Sequence, residues 1–545
     1  MKIVRAVSLV VLFLLPGILP GNAAAQTPDP AAKVDEIFAE WKSQESPGCT
    51  VAVSENGKTL LSRAYGMADL EHDAPITPTT IFEAGSVSKQ FTAAAALLLV
   101  QQGKLALADD VRKHVPELPD YGKPITIAHL IHHTSGLRDW GAIVGVNGWP
   151  RGTRIHTHAH MLDVASRQKA LNYEPGAEFS YTNTGYNLLA VIVERVTGQT
   201  FAEFTRQQIF EPLGMKHTGW RDDFTRIVKG RAIAYIKAED GFHSEMPFEN
   251  VHGNGGLLTT SEDLLLWNEN FTHGKVGGPA LIEALQRRGR LNDNREIEYA
   301  GGLFMLNYEG LPEVSHGGAT AGYRAFLARY PGQRLSVAVL CNLGDIDPDG
   351  LSHRVADLFL TGKKAAAPAP APPAPDIQLP TDEIAARAGM YRHSRTGDVL
   401  RLEMKEGKLR TGGGRAVWPL STSLFLVENG SKLDFIPNGL RVLTPDGDTV
   451  PFDRVAEAVP TAAQLAEYVG DYTSDEAEVT WKVAMEEGKL VIKWRPDTVV
   501  ALKPLYADAF HTENGFLIRF FRKEGKISEL SVGLTRVRDL RFERR

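Results

Sequence analysis

A serine and a lysine lie three positions apart in the segment EAGSVSKQ (residues 83–90), as Ser86 and Lys89. A serine hydroxyl is a poor nucleophile at neutral pH and needs a base within hydrogen-bond reach. Residues three apart lie on one face of a helix, and a buried lysine loses its proton more easily than an exposed one. The pair therefore predicts a nucleophile, Ser86, activated by Lys89. The free N–H groups of the helix N-terminus would favour an oxyanion beside them.

The same spacing occurs a second time, at Ser166 and Lys169 in SRQK. About one or two such pairs are expected by chance in a chain of this length and ordinary composition. The contexts differ, because residues 91–100 are almost wholly apolar whereas SRQK lies in a polar stretch. A buried helix would place Ser86 at the first turn of a core element, and this favours Ser86 over Ser166.

A second motif, YTN, contains Tyr181 and Asn183 and is the single Tyr-x-Asn of the sequence. It follows a turn-rich segment and precedes an apolar helical pattern, so we expect it at a loop edge where a cleft can form. Each residue alone also fits an ordinary structural role, Tyr181 as a half-buried loop residue and Asn183 as a helix N-cap. Their joint occurrence with Ser86 and Lys89 favours a site.

A third motif, HGG, contains His316 and Gly318 and stands directly before a strand pattern. A strand edge beside the nucleophile can present N–H groups to a substrate carbonyl. The rival motif HTG at His217 follows a helix-terminal pattern and has no strand after it, so we favour His316. The backbone N–H groups of Ala319 and Ser86 would then form the oxyanion hole.

The elements that must position these residues mix helices and strands between residues 32 and 362. A hairpin is predicted around Asn56-Gly57, and two more strands are joined at Pro331-Gly332. Helices are predicted for SKQFTAAAALLLVQQGKL and NTGYNLLAVIVERVTGQ. These patterns predict an α+β domain with a hairpin near each end.

The sequence changes character after a Pro/Ala-rich linker at residues 363–380. EIAARAGMY (383–391) matches QLAEYVGDY (464–472), and EGKL recurs at 406–409 and 487–490, at one shared offset of 81 residues. We interpret this as two small all-β barrels, residues 381–460 and 461–545. A single larger β domain with a fortuitous match is the alternative.

Composition excludes several classes of protein. The hydrophobic content of 43% and the charged content of 23% are ordinary for a soluble globular protein, and the net charge of -6 argues against binding to nucleic acid. At the N-terminus Lys2 and Arg5 precede an apolar run and the small residues NAAAQ. This pattern predicts a signal peptide, residues 1–25, and an exported protein, periplasmic or secreted; an uncleaved anchor is the alternative.

The sequence has two cysteines, Cys49 and Cys341. They could pair outside the cytosol, but each lies in an apolar strand-like run, which favours two buried free thiols. Three histidines alternate in HTHAH (156–160) and could bind a metal. A helix capped by Thr157 is the favoured interpretation, and we predict neither a metal nor a cofactor.

Taken together, the motifs resemble the serine β-lactamase/D-alanyl-D-alanine carboxypeptidase superfamily, in particular its class C β-lactamase, esterase and D-aminopeptidase branch. The likeness covers roughly residues 32–362 and rests on FEAGSVSKQFTA, LIHHTSGL, EPGAEFSYTNTGYNLLAVIVERVTG, EPLGM, GNGGLLTTSEDLLLW and HGGATAGYRAFLARYP. It implies an antiparallel sheet flanked by helices, with a helical lobe and the site between them. D-aminopeptidases of this family also carry paired, lipocalin-like β-barrels after the catalytic domain.

The resemblance also implies a role for each motif residue. Ser86 would form an acyl-enzyme, Lys89 would activate it, and Tyr181 would share the base role and protonate the leaving group. Asn183 would bind the substrate amide. His316 stands where many relatives have lysine, so it would be a weaker and pH-dependent carboxylate anchor, which moves the expectation away from efficient β-lactam hydrolysis.

The sequence thus predicts an exported serine hydrolase that cleaves an amide or ester, with a peptide-like substrate, D-amino-acid or cell-wall peptide, as the first choice. A carboxylesterase or weak β-lactamase is the alternative enzyme, and a catalytically silent ligand-binding scaffold is the alternative from another class. Cell-wall association is left open, and the barrels are expected to take part in substrate selection.

Overall fold

The computed structural model describes residues 30–362, 377, 379–445 and 447–545. The predicted signal peptide lies outside the described residues, as does most of the Pro/Ala-rich linker. Among the described residues, the model contains no helix whose length and apolar character would let it cross a membrane.

Residues 30–362 form an α+β domain. Its helices are α1 (Pro30–Ile37), α2 (Lys89–Gln101), α3 (Ile127–Ile131), α4 (Trp140–Asn147), α5 (His158–Ser166), α6 (Asn183–Thr197), α7 (Phe201–Thr205), α8 (Glu211–Leu213), α9 (Ser261–His273), α10 (Gly278–Gln286) and α11 (Pro348–Leu360). Its strands are β1 (Cys49–Glu55), β2 (Lys58–Tyr65), β3 (Met67–Asp69), β4 (Ala74–Pro75), β5 (Phe82–Glu83), β6 (Gly219–Trp220), β7 (Tyr235–Ala238), β8 (Gly241–Ser244), β9 (Leu257–Thr259), β10 (Phe304–Tyr308), β11 (Leu311–Thr320), β12 (Tyr323–Tyr330) and β13 (Leu335–Cys341).

The main sheet of this domain has the order β10-β11-β12-β13-β1-β2, with antiparallel pairing throughout. Nearly every residue of β1 and β13 is buried. Since successive side chains of a strand point to opposite sides, both faces of the sheet are covered at these strands. Val51 and Val53 belong to the core shared with α1 and α11, whereas Ala52 belongs to the core on the side of α9. The sheet is therefore covered by helices on both faces, and the predicted fold class is confirmed.

The two predicted hairpins are present. Asn56 and Gly57 join β1 to β2, and both have positive φ values, 54° and 74°, which glycine and asparagine tolerate better than other residues. The segment at Pro331 and Gly332 joins β12 to β13. Each turn sets the register between the two strands that it joins.

Cys49 and Cys341 form a disulfide, so the interpretation as two free thiols was wrong. The two cysteines face each other directly in the antiparallel pair of β1 and β13, with their Cα atoms 4.1 Å apart. Both are fully buried, as expected, but the strand pairing that brings them together joins residues 292 positions apart. Their apolar surroundings alone gave no indication of that pairing.

Helix α2 lies in the centre of the domain. Every residue from Lys89 to Leu99 is buried, and the helix packs against α6 and α10. A helix that is apolar on all sides is stable only in such a core. The prediction that Ser86 stands at the start of a buried helix is therefore met.

The rest of the described chain forms two nearly closed all-β barrels. The first contains α12 (Thr381–Ala385), β14 (Gly389–His393), β15 (Val399–Lys405), β16 (Lys408–Thr411), β17 (Val417–Pro419), β18 (Leu424–Val427), β19 (Lys432–Ile436), β20 (Gly439–Leu443) and β21 (Thr449–Val455). The second contains α13 (Ala462–Ala466), β22 (Gly470–Ser474), β23 (Val479–Glu486), β24 (Lys489–Trp494), β25 (Thr498–Ala501), β26 (Lys503–Pro504), β27 (Ala509–His511), β28 (Leu517–Lys523), β29 (Lys526–Leu534) and β30 (Val537–Arg544).

The same interaction recurs in both barrels at the offset found in the sequence. The Tyr391 hydroxyl donates to the backbone carbonyl four residues earlier, and Tyr472 does the same in the second barrel. Arg454 lies over the ring of Tyr391, and Arg544 lies over the ring of Tyr472, at 5.8 and 5.9 Å. The repeated Gly-x-Tyr motif thus marks one structural position in each barrel.

The second barrel packs directly on the first domain. Arg138 donates to the Glu476 carboxylate at 2.6 Å, and both side chains are almost fully buried. Trp481 Nε1 donates to the Val146 carbonyl at 3.1 Å. Asn147, also on α4, donates to the Ala477 carbonyl. This interface holds one end of the second barrel beside the cleft described next.

Candidate active site

The predicted nucleophile and base are in contact. Ser86 lies in the 3₁₀ turn Gly85–Ser88, which runs directly into α2, and Lys89 is the first residue of that helix. Lys89 Nζ lies 3.1 Å from Ser86 Oγ, 3.1 Å from Asn183 Oδ1 and 2.7 Å from the Asn254 carbonyl oxygen. The lysine amine is therefore held at the serine by two other oxygen atoms.

The environment of Lys89 favours its neutral form. Its side chain is completely buried, and this burial holds the pKa of the amine well below its ordinary range, with the positive charge of Arg536 adding to the effect. Asp139 opposes the shift, but it is a weaker influence. A neutral amine can accept the Ser86 proton while its own N–H groups donate to Asn183 and Asn254.

Tyr181 completes the catalytic set predicted from the sequence. Lys89 Nζ lies 4.7 Å from the centre of its ring. Burial raises the pKa of Tyr181, while the neighbouring Ser86 hydroxyl and the charge of Arg536 lower it. Within the described chain the Tyr181 hydroxyl makes no hydrogen bond of good geometry, so this buried donor is free to serve a substrate atom.

The loop edge that carries Tyr181 is fixed by two buried side chains. His133 stacks against Tyr181, with ring centres 4.3 Å apart, and its Nδ1 accepts the Thr182 N–H. Asp139 accepts the Asn183 N–H at 2.7 Å, and α6 begins at that asparagine. Tyr181 and Asn183 therefore reach the nucleophile from a rigid helix start.

Two glycines let the nucleophile turn and β11 approach each other closely. A methyl group added to Gly85 would lie 2.6 Å from the Ala319 nitrogen, and one added to Gly318 would lie 2.0 Å from the Ala84 carbonyl oxygen. Gly85 also has a φ of +49°, which other residues rarely adopt. This packing places the backbone of Ala319 beside that of Ser86, as the predicted oxyanion hole requires.

His316 lies in the same cleft, with protein partners for both ring nitrogens. Its Nδ1 donates to the Gly317 carbonyl at 2.6 Å, and its Nε2 accepts the Tyr299 hydroxyl at 3.1 Å. Burial, the largest influence, lowers the pKa of His316 to about 3. The imidazole is therefore neutral in the physiological range, and its role as a carboxylate anchor stays a prediction.

These residues line one cleft of about 850 Å³. All seven predicted site residues are at or beside it: Ser86, Tyr181, Asn183, His316, Gly318 and Ala319 line the cleft, and Lys89 lies beneath Ser86. The other candidates lie elsewhere. Lys169 contacts the second barrel, and His217 lines a separate surface pocket.

The histidines of HTHAH do not converge on one point. His158 begins α5, and Thr157 caps that helix, as the sequence predicted. His158 lies instead against His252, with ring centres 4.3 Å apart, and these two residues together with Glu194 have potential ligand atoms within 4.8 Å of one another. A nitrogen of His158 also bonds to the His252 backbone, so the pair helps to hold the loop that supplies the Asn254 carbonyl.

Three functional neighbours could not be recognised from sequence motifs. Asn254 acts through its backbone carbonyl, for which no residue type is diagnostic. Asp139 caps α4 and also accepts the Asn183 N–H, a contact that no sequence motif marks. Arg536 enters the cleft from the second barrel and lies over the Tyr181 ring at 4.9 Å. No sequence motif marks an arginine of the second barrel as part of a cleft in the first domain.

A serine that faces the cleft and contacts a buried lysine, together with a tyrosine and paired backbone N–H groups, defines a serine hydrolase of the acyl-enzyme class. The model of the family described as Beta-lactamase matches residues 34–360, and the chain belongs to that family, within the serine β-lactamase/DD-peptidase superfamily.

Known relatives match to different extents. The chain is 26% identical to a D-aminopeptidase of Gluconobacter oxydans over 525 residues, which is 91% of this chain and 96% of the relative. It is 31% identical over 312 residues to penicillin-binding protein 4* of Bacillus subtilis, covering 54% of this chain and 67% of the relative.

The structure of the octameric penicillin-binding protein homologue from Pyrococcus abyssi aligns with a TM-score of 0.54 and 23% identity. The alignment covers 86% of this chain and 98% of that chain. This likeness supports the fold.

Proposed function

We propose that this protein is an exported peptidase that cleaves an amide bond in a peptide-like substrate, D-amino-acid-containing or derived from the cell wall. The observation that carries the proposal is the contact of the buried Lys89 amine with Ser86, because burial lowers the pKa of that amine and favours the neutral form that can accept the serine proton. The D-aminopeptidase likeness, which spans most of both chains, supports a peptide-like substrate.

We infer the following reaction for such a substrate. Ser86 Oγ attacks the carbonyl carbon while its proton passes to the Lys89–Tyr181 pair. The backbone N–H groups of Ser86 and Ala319 stabilise the negative oxygen. The carbon–nitrogen bond then breaks, and the leaving nitrogen takes the proton from the same pair. Water hydrolyses the resulting ester, which releases the acid product and returns a proton to Ser86 Oγ.

The N-terminal sequence and the disulfide support export. Residues 1–25 have the pattern of a cleaved signal peptide, and disulfides persist mainly in oxidising compartments. Expression of the full chain in a bacterium, followed by N-terminal sequencing of the protein recovered outside the cytosol, tests this part. Recovery of the intact N-terminus from the cytosol would contradict it.

Covalent labelling tests the chemistry. A fluorophosphonate probe and a fluorescent penicillin should each form an adduct that Ser86→Ala abolishes. Ser166→Ala is the matched control, because Ser166 belongs to the rejected Ser-x-x-Lys pair and donates to the Asp163 carbonyl on the protein surface. An unlabelled wild-type protein, or an adduct that survives Ser86→Ala, would refute the proposed nucleophile.

A substrate panel tests the proposed specificity. D- and L-amino-acid amides and peptides, p-nitrophenyl esters and nitrocefin should be compared by kcat/KM with the purified protein. Preference for D-configured amides or peptides is the expected result. Efficient turnover of esters or nitrocefin with inert peptides would instead support the carboxylesterase or β-lactamase alternative. The silent-scaffold alternative requires that nothing in the panel is turned over.

A further inference from the structure

Three potential metal ligands, His158, Glu194 and His252, lie together outside the catalytic cleft. They come from separate segments: His158 begins α5, Glu194 lies near the end of α6, and His252 lies in the loop before β9. Ligand atoms of the three residues are within 4.8 Å of one another. Among the described residues, those that line the catalytic cleft do not include them. The cluster is therefore a site of its own.

The ring of His252 presents a buried lone pair without a partner. Its Nδ1 lies 3.0 Å from the Asn250 carbonyl, which can only accept, so Nδ1 carries the proton and Nε2 carries the lone pair. Within the described parts of the chain Nε2 has no hydrogen-bond partner. His252 is only 6% exposed and lies beside the rings of Phe201 and Trp220. Such a lone pair is costly to bury unless a donor or an ion occupies it.

His158 can take the arrangement of a metal-bound imidazole. Its Nε2 lies 3.1 Å from the His252 carbonyl oxygen and 3.2 Å from the His252 backbone nitrogen. In the tautomer that donates to the carbonyl, the lone pair is on Nδ1. Metal-bound histidines generally donate their second nitrogen to a carbonyl or carboxylate, which fixes the ring. Both histidines therefore have the backbone partner that a metal ligand needs.

Glu194 supplies a negative charge to the cluster. Its Oε1 accepts the Phe201 N–H at 3.0 Å, which orients the carboxylate, and it has no ion pair among the residues that the structure describes. Two imidazoles and a carboxylate form a ligand set that zinc accepts, with a fourth position left for water. Hard cations such as Mg²⁺ prefer oxygen ligands alone. His158 and Glu194 are partly exposed, so an ion can enter from solvent.

The loop that carries His252 also holds the catalytic lysine. The Asn254 carbonyl accepts Lys89 Nζ at 2.7 Å. Asn187, on α6, donates to the His252 carbonyl at 2.8 Å and to Asn254 Oδ1 at 2.6 Å. An ion bound to His252 and to both helices would add a further connection between this loop and the elements beside it.

We propose that His158, Glu194 and His252 bind one Zn²⁺ ion, which fastens the loop before β9 to α5 and α6. Zinc bonds of about 2.0–2.2 Å place tetrahedral ligands about 3.3 Å apart, so each pair of ligand atoms has to close by at most about 1.5 Å. Zinc binding at this site does not depend on the reaction proposed for Ser86.

The alternating histidines of HTHAH did not reveal this site, and the sequence alone predicted no metal. His156 contacts the Trp149 carbonyl instead, and His160 accepts the Thr157 N–H at the start of α5. Only one histidine of the motif therefore belongs to the cluster among the described residues. The other two ligands come from distant segments that folding brings together.

Metal binding to the full chain tests the site. The purified protein, stripped with EDTA and dialysed, would be titrated with Zn²⁺ by calorimetry. One ion per chain should bind and should raise the melting temperature by about 2 °C or more. Glu194→Gln and His158→Gln should each weaken binding about tenfold or more, because each removes a ligand. Glutamine at position 194 keeps an oxygen for the Phe201 N–H, so the local fold is preserved.

His160→Gln is the matched control. His160 is exposed and belongs to the same motif and the same helix, and glutamine can replace it in the capping box with Thr157. Its replacement should leave the zinc affinity unchanged. Absence of saturable binding, or an equal loss of affinity in the control and in the two ligand variants, would overturn the proposal.

Hydrogen exchange tests whether the ion fastens the loop. Zn²⁺ should slow deuterium uptake by residues 250–256 in the wild-type protein but not in Glu194→Gln, because a fastened loop opens less often. Uptake by the wild-type loop that is the same with and without Zn²⁺ would contradict the proposed role of the ion.

Discussion

Lys89 has to be easily deprotonated, and its amine also has to be held at Ser86. As a buried amine it is costly to charge, and that cost lowers its pKa and favours the neutral form that can act as a base. The surrounding oxygen atoms of Asn183 and Asn254 then orient the amine towards Ser86. Catalytic competence at this residue therefore depends on burial as much as on the identity of the side chain.

Lys89→Arg tests this dependence. Arginine fills similar space but cannot lose its proton, so it cannot take the Ser86 proton. The rate of adduct formation with a fluorophosphonate should fall about 10²- to 10⁴-fold, in line with the loss of a general base. Circular dichroism would verify that the variant is folded. A rate within a few-fold of wild type would show that Lys89 is not the base.

At the scale of elements, α11 is tied to β11 by a charged cluster. His353 contacts Glu313 at 2.7 Å and Asp349 at 2.8 Å, and Glu313 also accepts the Tyr330 hydroxyl. Burial disfavours the charged imidazole, but the two carboxylates outweigh it and raise the pKa of His353 to about 9 from 6.5. The helix is thus attached to the sheet by a histidine that stays protonated at neutral pH.

This cluster predicts a specific pH dependence of stability. Because the folded-state pKa is raised, the stabilisation is complete below about pH 6.5 and is lost as the pH rises through about 9. His353→Gln should lower the free energy of unfolding in urea by about 1–3 kcal/mol at pH 6 and by much less at pH 10.

His243→Gln is the matched control for this experiment. His243 pairs with Asp240 on the exposed surface, so its replacement should change stability little at either pH. A His353 effect that is equal at pH 6 and pH 10 would contradict the predicted ion pairs.

At the scale of the whole molecule, the second barrel is part of the active site. Its turn supplies Arg536 to the cleft, and the buried pair of Arg138 with Glu476 holds that barrel on the first domain. Removing one member of a buried pair leaves an uncompensated charge, which is more damaging than the pair itself is stabilising. Docking of the barrel and the shape of the cleft should therefore change together.

Glu476→Gln tests this coupling. The variant should lose about 3–5 kcal/mol of stability and expose the junction of the domains to limited proteolysis. Asp475→Asn is the control, because Asp475 pairs with Lys169 on the exposed surface. Unchanged proteolysis and thermal unfolding of the Glu476 variant would show that the pair does not hold the barrel in place.

The sequence by itself determined the local chemistry. Ser86 and Lys89 had to be neighbours because helical spacing places them on one face, and the apolar run after them had to be buried. The family, the fold class and the two barrels likewise followed from motifs and from a repeat, all of which are features of short segments.

Only the tertiary structure decided which distant segments meet. Cys49 and Cys341 pair because β1 and β13 are adjacent, and the Asn254 carbonyl reaches Lys89 because its loop folds over the nucleophile turn. Arg536 enters the cleft because the second barrel docks on α4. Such contacts depend on packing between surfaces far apart in the chain, and neither spacing nor periodicity encodes that packing.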